Sequence, residues 1–179
     1  GMELAPGAQA IVATPGAGYF VSSIVVDGAT VTPSYASTVA TSSVTVVTGS
    51  THTVAVTFTE KKLDYNTTAE IGYKTAYSNA EQLNALKQNI FAQVIKKDSS
   101  VPSGLTWDML TYQFKSVGNL LGSSQWRDLD QDASEVFGVG YPAFAEGGLG
   151  STEVIKVTWP GDDQYPEVSI EATITLVDG

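Results

Sequence analysis

The amino-acid sequence predicts a mainly β protein, made of two small modules of antiparallel sheet with one packed α-helix. Apolar and polar side chains alternate with a period of two in residues 8–59 and again in residues 167–176, which indicates half-buried strands. Apolar side chains recur at helical spacing over about residues 79–97, which predicts a single helix.

The first module is expected to contain short strands joined by tight turns. In residues 54–58, valine and phenylalanine share one face of a strand and alanine and threonine share the other. In residues 19–26 the apolar face shifts by one position, and a β-bulge near Ser22-Ser23 absorbs such a shift. The pair Asp27-Gly28 is a strong signal for a two-residue hairpin.

A charged segment, residues 60–64, separates two parts of different composition. The part before it is rich in threonine, valine and serine and carries almost no charge, whereas helix formers and aromatic residues follow it. We therefore expect a domain boundary here, with a small all-β module at residues 1–60 and a second module with an inserted helix at residues 64–179.

The predicted helix has a start signal and a stop signal. Ser78 and Glu81 have the spacing of a capping box, and Pro102 and Gly104 follow the end of the pattern. The apolar stripe over residues 83–95 must pack against another element, and a sheet of the second module is the available partner.

The second module is expected to return to strands after the helix. Residues 111–114 and 154–159 alternate, and the final strand is the clearest in the chain. Its inward-facing residues are expected to be Val168, Ile170, Ala172, Ile174 and Leu176, in an antiparallel sheet with one wet face. Residues 116–150 are rich in glycine, serine and aspartate, and we expect a short helix or strand near residues 132–137.

Composition excludes several classes of function. The 179 residues carry 19 acidic and 9 basic side chains, a net charge of −10, so the chain lacks the basic footprint of a nucleic-acid-binding protein. No apolar run approaches the roughly 20 residues that span a bilayer, so no membrane insertion is expected. The absence of cysteine excludes disulfides and thiolate chemistry, and it fits an exported protein.

No enzymatic site is predicted. His52 is the only histidine, so sites that need two histidines are excluded. A Ser-His-Asp triad remains arithmetically possible, but His52 begins an alternating strand beside a turn and no serine has the nucleophile-elbow pattern, so an ordinary surface histidine is favoured. The pair Gly16-x-Gly18 precedes a strand and fails the dinucleotide fingerprint. We expect no catalytic residue and no cofactor.

The segment Asp128–Asp132 is the one candidate for a metal site. Its three alternating carboxylates match the first ligands of an EF-hand, but Ala133 replaces the glycine and Val139 the final glutamate, so an EF-hand is excluded. Two interpretations of this segment remain. One is an irregular calcium site that also uses Asp162 or Asp163, and the other, which is favoured, is a solvated acidic loop. No metal ligand is therefore assigned.

Two other kinds of site remain open in the sequence. Aromatic residues can form a platform for carbohydrate stacking or can anchor the core and loops; the candidates are Trp107, Trp126, Trp159, Tyr141 and Tyr165. Trp159 shares a face with apolar residues of its strand, so we expect it to be buried. A lysine–asparagine isopeptide crosslink is not favoured because the final strand has no asparagine, although Lys61, Lys62 and Lys156 are possible donors.

Three motifs occur in order within residues 8–59: Thr14-Pro15-x-x-Gly18-Tyr19, Ile24-x-Val26-Asp27-Gly28 and Val54-x-Val56-x-Phe58. This series, which covers under a third of the chain, resembles the internalin-type B-repeat found in tandem on bacterial surface proteins. The segment 153–161, followed by Tyr165-Pro166 and residues 175–178, looks like part of an adhesin-type or immunoglobulin-like module. The resemblance implies an Ig-like sandwich in the second module.

These patterns lead to one functional prediction and one alternative. We expect a non-catalytic interaction or spacer module of a bacterial cell-surface or secreted protein, related to adhesion and extracellular, although no signal peptide is present in this chain. The expected partner is a protein or a glycan, bound at a loop end or an exposed sheet edge by a monomeric module of a larger chain. The alternative is a carbohydrate-binding module that uses exposed aromatics of the second domain.

Overall fold

The structure is a computed structural model, which describes residues 1–73, 80–99, 104–116, 126–129 and 149–179. The described residues are mainly β, with antiparallel sheets and one α-helix, which confirms the predicted fold class. The chain forms two compact units. The first comprises Gly1–Lys61 together with Gly161–Glu167, and the second comprises Lys62–Pro160 and Val168–Gly179.

The first unit contains six strands in two sheets. They are β1 (Gly7–Ala13), β2 (Tyr19–Val26), β3 (Ala29–Val31), β4 (Ser34–Ala36), β5 (Val39–Val46) and β6 (Val54–Glu60). One sheet has the order β1-β5-β4 and the other the order β3-β2-β6, and all their pairs are antiparallel. Strands β1 and β6 are therefore long edge strands of seven residues each.

The predicted bulge and hairpin are both present in β2. The pairing of β2 with β6 passes from Val21 opposite Phe58 to Ser23 opposite Thr57, which leaves Ser22 as the extra residue. At the end of the strand, Asp27 and Gly28 have φ of 52° and 83°, as a type I′ hairpin requires at both central positions.

The two sheets of the first unit share a small apolar core. Its buried members are Ala13 and Ala40 from one sheet and Val21 and Ile24 from the other. Two of the four are alanines, so this core contains little apolar volume for a unit of this size. The limited core makes additional packing important for the stability of the unit.

The segment Gly161–Glu167 provides that additional packing from a distant part of the sequence. The Tyr165 ring packs edge-on against the buried Phe20 ring, with 4.8 Å between centroids. The Lys61 Nζ donates to the Pro166 carbonyl oxygen at 2.9 Å, and the Thr38 amide donates to the Asp163 carbonyl oxygen at 2.8 Å. The first unit is thus completed by residues about 100 positions further along the chain.

The described part of the second unit is a five-stranded sheet with a helix on one face. Its elements are β7 (Thr68–Tyr73), α1 (Ala80–Val94), β8 (Thr111–Ser116), β9 (Arg127–Asp128), β10 (Thr152–Trp159) and β11 (Val168–Asp178), with a 3₁₀ turn at Trp107–Met109. The order is β7-β11-β10-β8-β9, and the pairs are antiparallel except β7 with β11, which is parallel.

Helix α1 buries the stripe that the sequence predicted. Leu86, Ile90 and Val94 belong to one core with Ile155 and Ile174 of the sheet. The helix ends three residues before the predicted end, at Val94, because Ile95 forms an isolated β-bridge with Tyr65. The predicted capping residue Ser78 lies outside the described residues.

The last strand alternates as predicted. Ile170, Ala172, Ile174 and Leu176 are buried and Val168 is half-buried, while Ser169, Glu171 and Thr173 are exposed. The described part of the second unit contains one sheet covered by a helix, and a second sheet of the expected Ig-like sandwich is not among those residues. The element expected near residues 132–137 also lies outside them.

Replacing Ile174 by alanine tests the core of the second unit. Ile174 is fully buried in β11, so we expect Ile174→Ala to lower the unfolding free energy by about 2–5 kcal/mol in urea titrations. The neighbouring variant Thr173→Ala, on the exposed face of the same strand, is the control and should lose less than about 1 kcal/mol. Equal losses would contradict the assignment of the two faces.

Replacing Gly161 by alanine tests the role of the segment Gly161–Glu167. A Cβ at this position would lie 2.7 Å from both the Glu167 amide nitrogen and the Tyr165 carbonyl oxygen. We expect Gly161→Ala to weaken the segment's packing by about 1–3 kcal/mol, and amide hydrogen exchange of Thr38 to accelerate. Gly16→Ala is the control because its added Cβ meets no atom within 4 Å. Unchanged Thr38 exchange would overturn the assigned role.

Candidate functional site

The structure brings Ser50, His52 and Asp27 into one hydrogen-bonded row. The His52 Nδ1 lies 2.7 Å from the Asp27 Oδ2, and the His52 Nε2 lies 3.0 Å from the Ser50 Oγ. The Thr53 amide donates to the other Asp27 oxygen at 2.8 Å. The sequence favours an ordinary surface histidine. Periodicity does not place Asp27 here, because the pairing of Val26 with Val54 brings the two turns together.

The row has the atom order of a catalytic triad, but its serine is engaged within its own turn. The Ser50 hydroxyl donates to the Val47 carbonyl oxygen at 2.7 Å and accepts from the Val47 amide at 3.2 Å. These bonds are local turn contacts, and the first is shorter than the contact with His52. The row therefore ties the turn after β5 to the hairpin that follows β2.

The ionised form of Asp27 is stabilised by this arrangement. The hydrogen bond from His52, followed by the one from the Thr53 amide, holds the pKa of Asp27 below its ordinary value of 3.8. The Asp27 carboxylate thus remains negative throughout the neutral and mildly acidic range.

The candidate calcium ligands take part in separate local structures. The Asp128 Oδ1 accepts from the Gln113 Nε2 at 2.8 Å in the second unit. In the first unit, the Asp162 Oδ1 accepts from the amides of Gln164 and Tyr165 at 2.8 and 2.7 Å. Among the described residues no three acidic or histidine side chains form a group able to hold a metal ion. The remaining carboxylates of the segment, at positions 130 and 132, lie outside those residues.

The aromatic candidates are divided between the two units. Trp159 is buried, as expected, whereas Trp107 and Trp126 are half-buried in the second unit and Tyr165 packs in the first. The Lys156 ammonium lies over the Trp126 ring, 4.8 Å from its centroid, and so occupies one face of the ring. Tyr141 lies outside the described residues.

The three candidate crosslink lysines make other contacts. Lys61 is buried, and burial lowers the pKa of its ammonium group although the Asp162 and Glu167 carboxylates oppose this effect. The Lys62 Nζ pairs with the Asp64 carboxylate at 3.1 Å. The Lys156 ammonium lies over the Trp126 ring, as described above.

Strand β6 presents an open edge that the sequence analysis did not locate. The strand pairs with β2 and with no other strand of the described residues. Val54 and Phe58 are each 45% exposed and the neighbouring Tyr19 is 43% exposed, although these side chains lie on the face of the sheet that carries the core. Alternation identified this face, but edge position depends on the order of strands in the sheet.

The backbone of β6 has a definite polarity. The Thr53 and Thr57 carbonyl oxygens accept bonds from β2 and its turn, and the Lys61 amide donates to the Gly18 carbonyl oxygen. Successive residues of a strand direct their backbone groups to opposite sides. The N–H and C=O groups of Val54, Val56 and Phe58 therefore face the open edge.

No helix among the described residues is long and apolar enough to cross a membrane.

Replacing Asp27 by asparagine tests the hydrogen-bonded row. Because the folded-state pKa of Asp27 is lowered, its ionised form contributes stability that is present above about pH 4 and is lost as the pH falls through the folded-state pKa. We expect Asp27→Asn to lower the Tm at neutral pH and to reduce its fall between about pH 5 and pH 2 in calorimetry.

Asp163→Asn, which removes an exposed carboxylate elsewhere in the same unit, is the control for this experiment. A pH dependence in Asp27→Asn equal to that of the unsubstituted protein would contradict the role given to the row.

Comparison with known proteins found no family model, no curated protein and no solved structure that matches this chain.

Proposed function

We propose that this chain is a non-catalytic interaction module of a bacterial cell-surface or secreted protein, and that it binds its partner along the open edge of β6. The observation that carries the proposal is a seven-residue edge strand with half-exposed apolar side chains and outward-facing backbone groups. An extended segment that adds to such an edge gains main-chain hydrogen bonds, and its alternate side chains contact the exposed apolar row.

The composition of β6 supports this proposal. Natural edge strands are usually protected from pairing by lysine, proline, a bulge or short length. Residues 54–60 contain neither lysine nor proline, and their single charge is Glu60 at the end. The bulge of this ladder lies on β2 and not on β6. Within the part of the chain that the structure describes, the edge thus shows none of these barriers to strand addition.

The other long edge of the first unit is less suited to binding. Strand β1 is also seven residues long, but its core-facing Ala13 is buried and Ile11 is half-buried. The exposed Val12 lies on the opposite face of that strand. Strand β6 is favoured because its exposed apolar side chains form a row beside the free backbone groups.

An extracellular location is supported by the sequence. The absence of cysteine and the low charge of residues 1–59 are typical of exported β modules, and residues 8–59 resemble the internalin-type B-repeat. If the chain acts as a spacer, neighbouring modules of a larger protein would present the same strand edge at regular intervals.

The carbohydrate-binding alternative has weaker support. It requires exposed aromatic faces, and its candidates Trp107, Trp126 and Tyr165 are each half-buried. The Trp126 ring already has the Lys156 ammonium over it. Glycan-array binding that is lost in Trp126→Ala would favour this alternative over strand addition.

Selection from a display library of random ten-residue peptides tests the proposal. We expect selected peptides to slow hydrogen exchange of the Val54, Val56 and Phe58 amides, because these groups face the open edge. Phe58→Lys introduces a protective charge at the edge and should weaken binding of those peptides by about tenfold or more.

Val12→Lys is the matched control, since it adds the same charge to the edge strand β1 and should leave affinity unchanged. Circular dichroism checks that both variants are folded. Selected peptides that bind Phe58→Lys and the unsubstituted protein equally would exclude β6 as the binding edge.

A further inference from the structure

The exposed charged side chains of the first unit are almost entirely acidic. The unit has a single lysine, Lys61, which is only 3% exposed. Its acidic residues are all exposed and are Glu3, Asp27, Glu60, Asp162, Asp163 and Glu167. His52, the remaining titratable base, contacts the Asp27 carboxylate at 2.7 Å. The surface of this unit therefore carries a negative potential.

Some of these acidic residues lie at the two ends of β6. At its beginning, the Asp27 amide donates to the Thr53 carbonyl oxygen at 2.9 Å and the Thr53 amide donates to the Asp27 Oδ1, one residue before the strand. At its end lies Glu60, followed by Lys61, whose ammonium is influenced by the Asp162 and Glu167 carboxylates.

The centre of the same strand is uncharged and apolar. Residues 54–59 carry no charge, and Val54, Val56 and Phe58 form a row on one face. Val56 is half-buried and the other two are 45% exposed, so an added strand could cover them further. The edge thus has an apolar centre about 20 Å long between two negative ends.

We infer that the partner of β6 is an extended peptide segment with alternating apolar side chains at its centre and basic residues at both ends. This inference rests on the proposed function of the edge. Main-chain hydrogen bonds align the segment with Val54, Val56 and Phe58, and its apolar side chains cover their exposed parts. Its terminal lysines or arginines lie near Asp27 at one end and Glu60 at the other.

Electrostatic repulsion disfavours two other occupants. A second copy of this chain would bring another net charge of −10 to an acidic surface, and nucleic acid would bring a dense row of phosphates. A basic segment is attracted instead, and this attraction is screened by salt. The strand's length matches a partner of about seven residues plus its charged ends.

Two synthetic peptides test this partner class. Both contain seven residues of alternating valine and threonine, and one is flanked at each end by two lysines and the other by two glutamates. In fluorescence anisotropy at ~0.05 M salt, we expect the lysine-flanked peptide to bind about tenfold more tightly, and the preference to shrink at ~0.5 M salt.

Variants separate the charge effect from strand addition. Glu60→Gln should reduce the preference for the lysine-flanked peptide, while Glu3→Gln, which removes an exposed acid before β1, should leave it unchanged. Phe58→Lys should weaken both peptides, and Val54→Lys provides a second edge variant at an equally exposed position. Hydrogen exchange of residues 54–60 locates the bound peptide.

Each outcome has a distinct meaning. Equal binding of the two peptides, with protection of β6, would overturn the basic partner and leave strand addition standing. Binding of the lysine-flanked peptide without protection of β6 would show general charge attraction and would overturn the inference. If neither peptide binds and library peptides protect another surface, both the inference and the proposed edge are wrong.

Discussion

The hairpin of β10 and β11 is the constraint on which both units depend. In the second unit these strands lie side by side in the interior of the five-stranded sheet, where they contribute Ile155, Val157 and Ile174 to the core. Their register pairs Trp159 with Val168, so residues 160–167 leave the ladder. Most of that connection packs in the first unit, whose own core has four buried residues.

Because part of the first unit comes from residues 161–167, this unit is not one continuous repeat-like segment of the chain. Phe20 lies on the face of β2 away from the shared core, and the Tyr165 ring packs against it. Lys61 is buried with its ammonium bonded to the Pro166 carbonyl oxygen. A fragment that ended near residue 60 would expose Phe20 and would lack these contacts, so the first unit is not an independent segment of sequence.

Strand β6 combines exposure with structural support at both ends. The row of Ser50, His52 and Asp27 holds the turn that precedes it, and the Lys61 amide bonded to the Gly18 carbonyl oxygen fixes its end. A preordered edge loses little conformational entropy when a partner strand is added, which favours binding. In the proposed complex, the acidic groups at its two ends would select the charge of the partner.

The amino-acid sequence by itself determined features that depend on neighbouring residues. The Ser22 bulge, the Asp27-Gly28 hairpin, helix α1 and the alternation of β11 follow from local periodicity and turn chemistry. Only the tertiary structure decided that Asp27 meets His52, that Tyr165 packs on Phe20 and that β6 lies at an edge. These depend on strand order and on contacts between residues 25 to 145 positions apart, which periodicity within one segment does not encode.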